Sequence, residues 1–286
     1  MTQAHVRFAR PTEDGAGVKI RRINEFTGAL DPFLMVDELK SDLKDDYIGG
    51  FPPHPHRGFE TLTYLLHGGL NHRDSEGHHG GVARGGAQWM RAGSGVLHSE
   101  MPTTDSDGLH GFQVWINLPA RLKMSKPAYR DVQTDEIPTI NFKGGHARII
   151  ADHWQFNGVE AQGALPTLGD GAGMAQLQID AGAAVRVQLP SGYRLLAYVF
   201  EGSVRATHPS QTQPSQHYES GALLSFPIGT EKIDLHSESG AGLLLLSGKP
   251  LHEPIAHRGP FVMNTEAEIT QAIHDYQSGA MGRLDA

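Results

Sequence analysis

The residues with the clearest chemical content are histidines. The stretch GFPPHPHRGFET (50–61) sets His54 and His56 two apart, with Glu60 at the same parity, and GSGVLHSEMP (93–102) sets His98 and Glu100 two apart. On an extended strand, positions i and i+2 share a face, so each pair aims both side chains one way. Pro55, which has no N–H to give a ladder, fits an edge strand or a strand start. Two such pairs converging inside a barrel would bring three imidazoles and one carboxylate to a point. That donor set suits a first-row divalent metal and leaves coordination positions open. A lone histidine is more often a surface or hydrogen-bonded residue. His-x-His followed by Gly-x-x-His-x-Glu on a second strand favours the metal. His67, His72, His78, His79 and His110 lack this paired context. His78 and His79 sit in GHHGGVARGG, which reads as a glycine-rich loop, either a solvated connection or a flap over the site.

Composition narrows the function classes. The chain has 286 residues, with 24 Lys+Arg against 32 Asp+Glu, a formal charge of −8. That balance argues against a dedicated nucleic-acid binder, which needs a basic face. With no Cys, disulfides, thiolate metal sites and a cysteine nucleophile are all excluded. No secretory leader is visible in MTQAHVRFARPTEDG. No run approaches the roughly 18 apolar residues of a membrane span. A cytoplasmic location is the expectation.

The elements that must position the histidines read as strands. Gly (35) and Pro (17) punctuate short β-rich runs at 61–66, 111–118, 147–150, 183–189, 194–202 and 242–248. Strands without intervening helical periodicity predict an all-β sandwich or barrel. One helix is expected over 266–278. Thr265 and Glu268 have capping-box spacing, Ile269, Ala272, Ile273 and Tyr276 form a stripe, and Gly279 suits the stop. The polar segment 119–145 reads as the connection between halves, and 205–217 as a polar hairpin loop. The halves align weakly with each other: TYLLHGG (63–69) over AYVFEGS (197–203), and MRAGSGVLHSE (90–100) over YESGALLSFPI (218–228), with Gly93 on Gly221. In that alignment Gln188, Pro190, Phe226 and Ile228 fall on His54, His56, His98 and Glu100. One metal in the first half is therefore expected, with a metal-binding domain over 1–132 and a metal-free domain over 133–286 that ends in the helix.

The two-part histidine signature resembles that of the cupin superfamily. More narrowly, LDPFLMVDEL (30–39), FPPHPHRGFETLTYLL (51–66), QWMRAGSGVLHSEMP (88–102) and GPFVMNTEAEI (259–269) resemble the pirin family nearly end to end. The resemblance implies a bicupin, two antiparallel β-barrels facing each other with a short C-terminal helix and a metal in the first. Iron is the first expectation; Mn, Ni, Co, Cu and Zn suit the same ligands. The implied ligands are His54, His56, His98 and Glu100. Glu60 holds the place of the usual cupin glutamate ligand and is expected close to the site, outside the ligand set. Two positions depart from the general cupin pattern: Pro102 replaces the usual Asn, and the Pro before Gly-x-x-His is missing. Neither is a ligand position.

The resemblance also implies quercetin 2,3-dioxygenase activity on a small aromatic substrate and dioxygen. The flavonol would bind through its 3-hydroxyl or 4-carbonyl oxygen, with Glu100 as base. Dioxygen would attack C2 of the enolate, releasing carbon monoxide and leaving a phenolic ester. Phe51, Phe59, Trp89, Phe112 and Trp115 could line a dry pocket, although barrel core is the plainer role for each. The alternative is a non-enzymatic, redox-responsive metal protein that binds transcription factors or metabolic enzymes and meets DNA only through a partner.

Overall fold

Short runs of β-branched, aromatic and leucine residues between glycine turns fold as antiparallel strands along almost the whole chain. The computed structural model describes residues 4–104, 107–207 and 216–284. They form two compact β units. The architecture is all-β and barrel-like in both, with a short C-terminal helix, as the sequence predicts.

Arg10–Thr134 together with the segment from Leu251 make the N-terminal unit. Its larger sheet has seven strands, in the order Ala128–Val132, Ala87–Arg91, Phe59–His67, Leu109–Asn117, Phe33–Ser41, Val18–Asn24 and Arg10–Asp14. A second sheet of four strands runs Phe51–His56, Val96–Pro102, Gly69–Asp74, His79–Ala83. Phe51–His56 carries Pro52, Pro53 and Pro55 and sits at the sheet's edge, where missing donors cost nothing. The stretch around His78 and His79 is not a loop. His79–Ala83 pairs with Gly69–Asp74, and Asp74 ties the turn by accepting N–H bonds from Glu76 and His78.

The C-terminal unit holds the residues up to Ala9 with Asp135–Pro250. Its twelve-stranded sheet encloses one large apolar core that includes Trp154, Phe156, Leu177, Leu224, Phe226 and Leu243. The N-terminal strand His5–Phe8 pairs here with Ala222–Ser225. The strand order Ala87–Arg91, Phe59–His67, Leu109–Asn117, Phe33–Ser41 recurs as Ala222–Ser225, Arg194–Thr207, Ala241–Gly248, Ala172–Ile179. That recurrence agrees with the first block of the internal repeat, Phe59–His67 with Arg194–Thr207, but not with the second. Ala222–Ser225 takes the place of Ala87–Arg91, and the counterpart of Val96–Pro102 is Lys232–Ser237, paired with Ala183–Gln188, so Phe226 and Ile228 do not correspond to His98 and Glu100.

The ends of the chain depart from the expected division. The helix forms at Glu266–Gln277 with the complete Thr265/Glu268 capping box, and Gly279 takes a positive φ. It belongs, however, to the N-terminal unit rather than to a domain spanning 133–286. Ile269 and Ala272 pack with Ala256, Phe261, Met263 and Met281, and Leu97 of the histidine strand packs against the same cluster. Arg57, the residue after His56, pairs with Asp275 at 2.9 Å. Tyr276 of the predicted stripe remains exposed. The segment 119–145 is not a plain connection either. It supplies a helical turn, Ala120–Lys123, and a strand to each unit, Ala128–Val132 and Thr139–Phe142. The 205–217 stretch lies for the most part, at 208–215, outside the described residues. Its flanks Ser203–Arg205 and His217–Glu219 pair antiparallel.

Candidate metal centre

Strand register brings the histidines together. Val96–Pro102 runs antiparallel to Phe51–His56, with His98 opposite His54 and Val96 opposite His56. Directly opposed residues share a face, and His56 follows His54 at period two. The ring centroids of His54 and His98 lie 4.3 Å apart, and those of His56 and His98 4.9 Å. One nitrogen from each of the three rings falls within 4.8 Å of the other two; among the described residues this is the one such group of metal-ligating side chains.

The hydrogen bonds of His54 and His56 turn their Nε2 atoms toward each other. His54 Nδ1 lies 2.8 Å from Pro52 O and His56 Nδ1 3.4 Å from Pro260 O. A carbonyl can only accept, so each Nδ1 is a donor nitrogen, which leaves Nε2 as the ligand atom of a neutral ring. Those two Nε2 atoms face each other at 3.2 Å. Two lone pairs at that separation repel unless an electrophile sits between them. An imidazole N–H held by a backbone carbonyl is the usual outer support of a metal-bound histidine. Both nitrogens of His98 are buried without a hydrogen-bond partner. Orphaned buried polar atoms of this kind are costly, and a metal would relieve the cost. Burial, then the neighbouring rings, pushes His56 and His98 well below the ordinary histidine value, so both are neutral ligands at neutral pH. The residues present therefore fit a metal ion.

Glu100 follows His98 after a bulge in the strand and is buried. Its Oε1 accepts from Thr63 Oγ1 at 3.0 Å and its Oε2 from Gln113 Nε2 at 2.7 Å. It stands beside the three-histidine group and is not one of its close-packed members. Glu60 is fully buried, with Oε2 on Trp89 Nε1 at 2.9 Å and Oε1 on Arg91 Nε at 2.8 Å.

Several residues of the site were not singled out by sequence spacing. His72, opposite Glu100 on the Gly69–Asp74 strand, is buried and stacks on Tyr129. Its ring lies 5.4 Å from that of His98. Asp74 takes hydrogen bonds from both His72 and His78. Burial raises its pKa, but these partners outweigh it and the net shift is downward. His72 and Asp74 repeat the two-residue spacing of the metal pairs, the one signal that could have found them. Thr63 and Gln113 carried no motif.

A cavity of about 590 Å³ opens at His54 and His56, within the roughly 300–1,000 Å³ range of small-molecule sites. Phe26, Phe51, Met35 and Trp115 supply its apolar wall, and Phe26 stacks on His257 at 3.6 Å. Of the five candidate aromatic residues, Phe51 and Trp115 line this space. Phe59 and Phe112 are core, and Trp89 serves Glu60.

The comparisons with known proteins bear on the family and the fold. The Pirin family model matches residues 17–116, and the model of the pirin C-terminal cupin domain matches 174–282. The chain belongs to the pirin family. It is 45% identical over 273 residues to a Vibrio cholerae protein named "putative quercetin 2,3-dioxygenase", covering 95% of this chain and 94% of the relative. Human pirin is 34% identical over 278 residues, covering 96% and 92%. The crystal structure of quercetin 2,3-dioxygenase from Acinetobacter baumannii superposes with a TM-score of 0.88 at 30% identity, over 100% of both chains. As in other pirins, the fold is a bicupin. Among the described residues no helix is long and apolar enough to cross a membrane.

Proposed function

We propose that this pirin is a metal-dependent dioxygenase that opens flavonols such as quercetin and releases carbon monoxide. The observation that carries the reading is the cluster of three imidazoles, two of them with Nε2 atoms facing each other, beside an aromatic-walled cavity. The names of the Vibrio cholerae relative and the Acinetobacter baumannii structure support the substrate.

His54, His56 and His98 would hold the metal, with Glu100 as fourth ligand. Iron is the first candidate, and Mn, Ni, Co, Cu and Zn fit the same donors. When bound, the ion supplies Lewis acidity that makes a flavonol hydroxyl easier to ionise. The chain's own residues do the remaining work. Glu100, steadied by Thr63 and Gln113, accepts the substrate's hydroxyl proton. Phe51 and Trp115 hold the flat ring system and keep water from the ionised substrate.

The test measures metal content, dioxygen uptake and carbon monoxide release on one purified sample with quercetin. Glu100→Gln, compared at equal metal occupancy, should lose turnover by more than it loses substrate binding. If the protein loaded in turn with iron, manganese, nickel, cobalt and copper yields no carbon monoxide from any common flavonol, the oxygenase reading fails. A non-enzymatic metal protein that acts through a protein partner then takes its place.

A further inference from the structure

A row of polar side chains crosses the seven-stranded sheet, one from each of six adjacent strands. By register, Arg22 stands opposite Asp37, Asp37 opposite Gln113, Gln113 opposite Thr63, Thr63 opposite Gln88, and Gln88 opposite Asp131. Cross-strand partners share a face, so the row lies along one side of the sheet. Its middle holds Glu100, and Gln88 at its far part binds Tyr129 and Asp131. The near end, Arg22 with Asp37, has no part in the metal chemistry, yet Arg22 lines the same cavity as His54 and His56.

Arg22 is fixed with donors to spare. Nε and Nη2 bind the two oxygens of buried Asp37 at 2.8 and 2.6 Å, and Nη2 also binds Asp14. Nη1, with two N–H groups, has no partner among the described residues. Asp14, also in the cavity wall, accepts from Gly15 N–H at Oδ1 and from Arg22 Nη2 at Oδ2, and its side chain is about half exposed. One guanidinium against two carboxylates leaves this end of the cavity with a charge of −1. A carboxylate would meet that excess negative charge. A neutral hydroxyl can accept from Nη1 and donate to Asp14 together, both charge-assisted contacts.

We propose that Arg22, clamped by Asp37 and Asp14, is the specificity-determining residue of the cavity and takes a neutral hydroxyl on the substrate ring distal to the histidines. The substrate class is thereby hydroxylated rather than carboxylated aromatic rings. This rests on the flavonol reading and adds the group that selects among flavonols.

The experiment is anaerobic equilibrium binding to the metal-loaded protein, which reports affinity without turnover. The probes are quercetin, the flavonol identical except for a distal ring without hydroxyls, and the flavonol with a distal carboxylate. Wild type should bind quercetin about tenfold or more tightly than the hydroxyl-free probe, and the carboxylate probe no better than the latter. Arg22→Lys keeps a cation beside Asp37 but loses the fork. It should cut the quercetin preference to about twofold while leaving the hydroxyl-free probe within about twofold of wild type. Asp14→Asn, at a half-exposed position, should also reduce the preference, and it should raise affinity for the carboxylate probe. Equal binding of quercetin and the hydroxyl-free probe by wild type overturns the proposal, as does an unchanged preference in both variants. Either result, with carbon monoxide still released, leaves the flavonol reading standing. Failure of every flavonol to bind wild type overturns both.

Discussion

Replacing Glu60 by glutamine separates two ways in which this barrel can use a buried carboxylate. Both Glu60 oxygens face strand neighbours, Trp89 Nε1 at 2.9 Å and Arg91 Nε at 2.8 Å. Glutamine keeps the volume and one carbonyl acceptor, but its NH2 must then face one of those donors, and Arg91 loses its counter-charge. One charge-assisted hydrogen bond is worth about 1.5–3 kcal/mol. Breaking a fully buried pair costs about 3–5 kcal/mol. The Arg91 side chain is 28% exposed, so water recovers part of that, and the loss should be about 2–4 kcal/mol. At roughly 2–4 °C per kcal/mol, the N-terminal unit should melt about 4–16 °C lower. The assay is thermal unfolding followed by tryptophan fluorescence, with metal content measured on the same samples. Metal stoichiometry should equal that of wild type. A variant that melts like wild type but has lost its metal would place Glu60 in the ligand set and refute the assignment of Glu100.

Wild type should carry one metal per chain and His98→Ala none, read by elemental analysis; two equivalents in wild type, or full retention in the variant, would overturn the single-site assignment. Lys123 is buried, with Nζ on Gly58 O, Asn117 Oδ1 and Val262 O at 2.8, 2.7 and 2.9 Å, so Lys123→Met strands three acceptors and should cost about 3 kcal/mol in urea denaturation. Burial also lowers Lys123 to about 7 from 10.5. Between those values the unfolded chain holds more protons, so this residue's contribution to stability should rise with pH by at most about 1.4 kcal/mol per unit; a wild-type-minus-variant difference that falls from pH 7 to 9.5 would contradict it. Thr265→Ala removes the hydroxyl of the capping box and should cost about 1 kcal/mol with metal content unchanged; loss of metal at unaltered stability would refute a purely structural helix.

What was legible in the sequence was what depends on local period. The His-x-His and His-x-Glu spacings announce a shared strand face, and the capping box marks the helix start to the residue. What was not legible depends on register and long-range packing. Gln113 and Thr63 matter because strands 50 residues apart in sequence set them side by side over Glu100, and neither has a local signature. GHHGGVARGG reads as a loop because glycine weakens strand propensity. Yet a Cβ at Gly80 would lie 2.0 Å from an Asp131 carboxylate oxygen, so the glycine lets that side chain lie close against the strand. The C-terminal helix announces itself but not its docking site. That choice rests on the Arg57–Asp275 pair and on the apolar cluster around Met281, contacts separated by about 200 residues.

The two units put the same strand order to opposite uses. In the C-terminal unit Leu224, Ala197, Leu245 and Ala175 stand, by the same strand order and register, where Gln88, Thr63, Gln113 and Asp37 stand in the other, and all four are buried in a continuous apolar core. In the N-terminal unit the equivalent face carries the histidine cluster, the polar row and a cavity of about 590 Å³. Each of these replaces apolar packing with groups that stabilise only when partnered. The unit recovers contacts from the chain end. The segment from Leu251 gives Val262 O to Lys123, Pro260 O to His56, Asp275 to Arg57, and an apolar cluster that includes Leu97 beside His98. Its anchors fall next to His56 and His98, one on each histidine strand. A cupin barrel that is hollow and polar needs reinforcement where apolar packing is missing, and that is where the C-terminal segment binds.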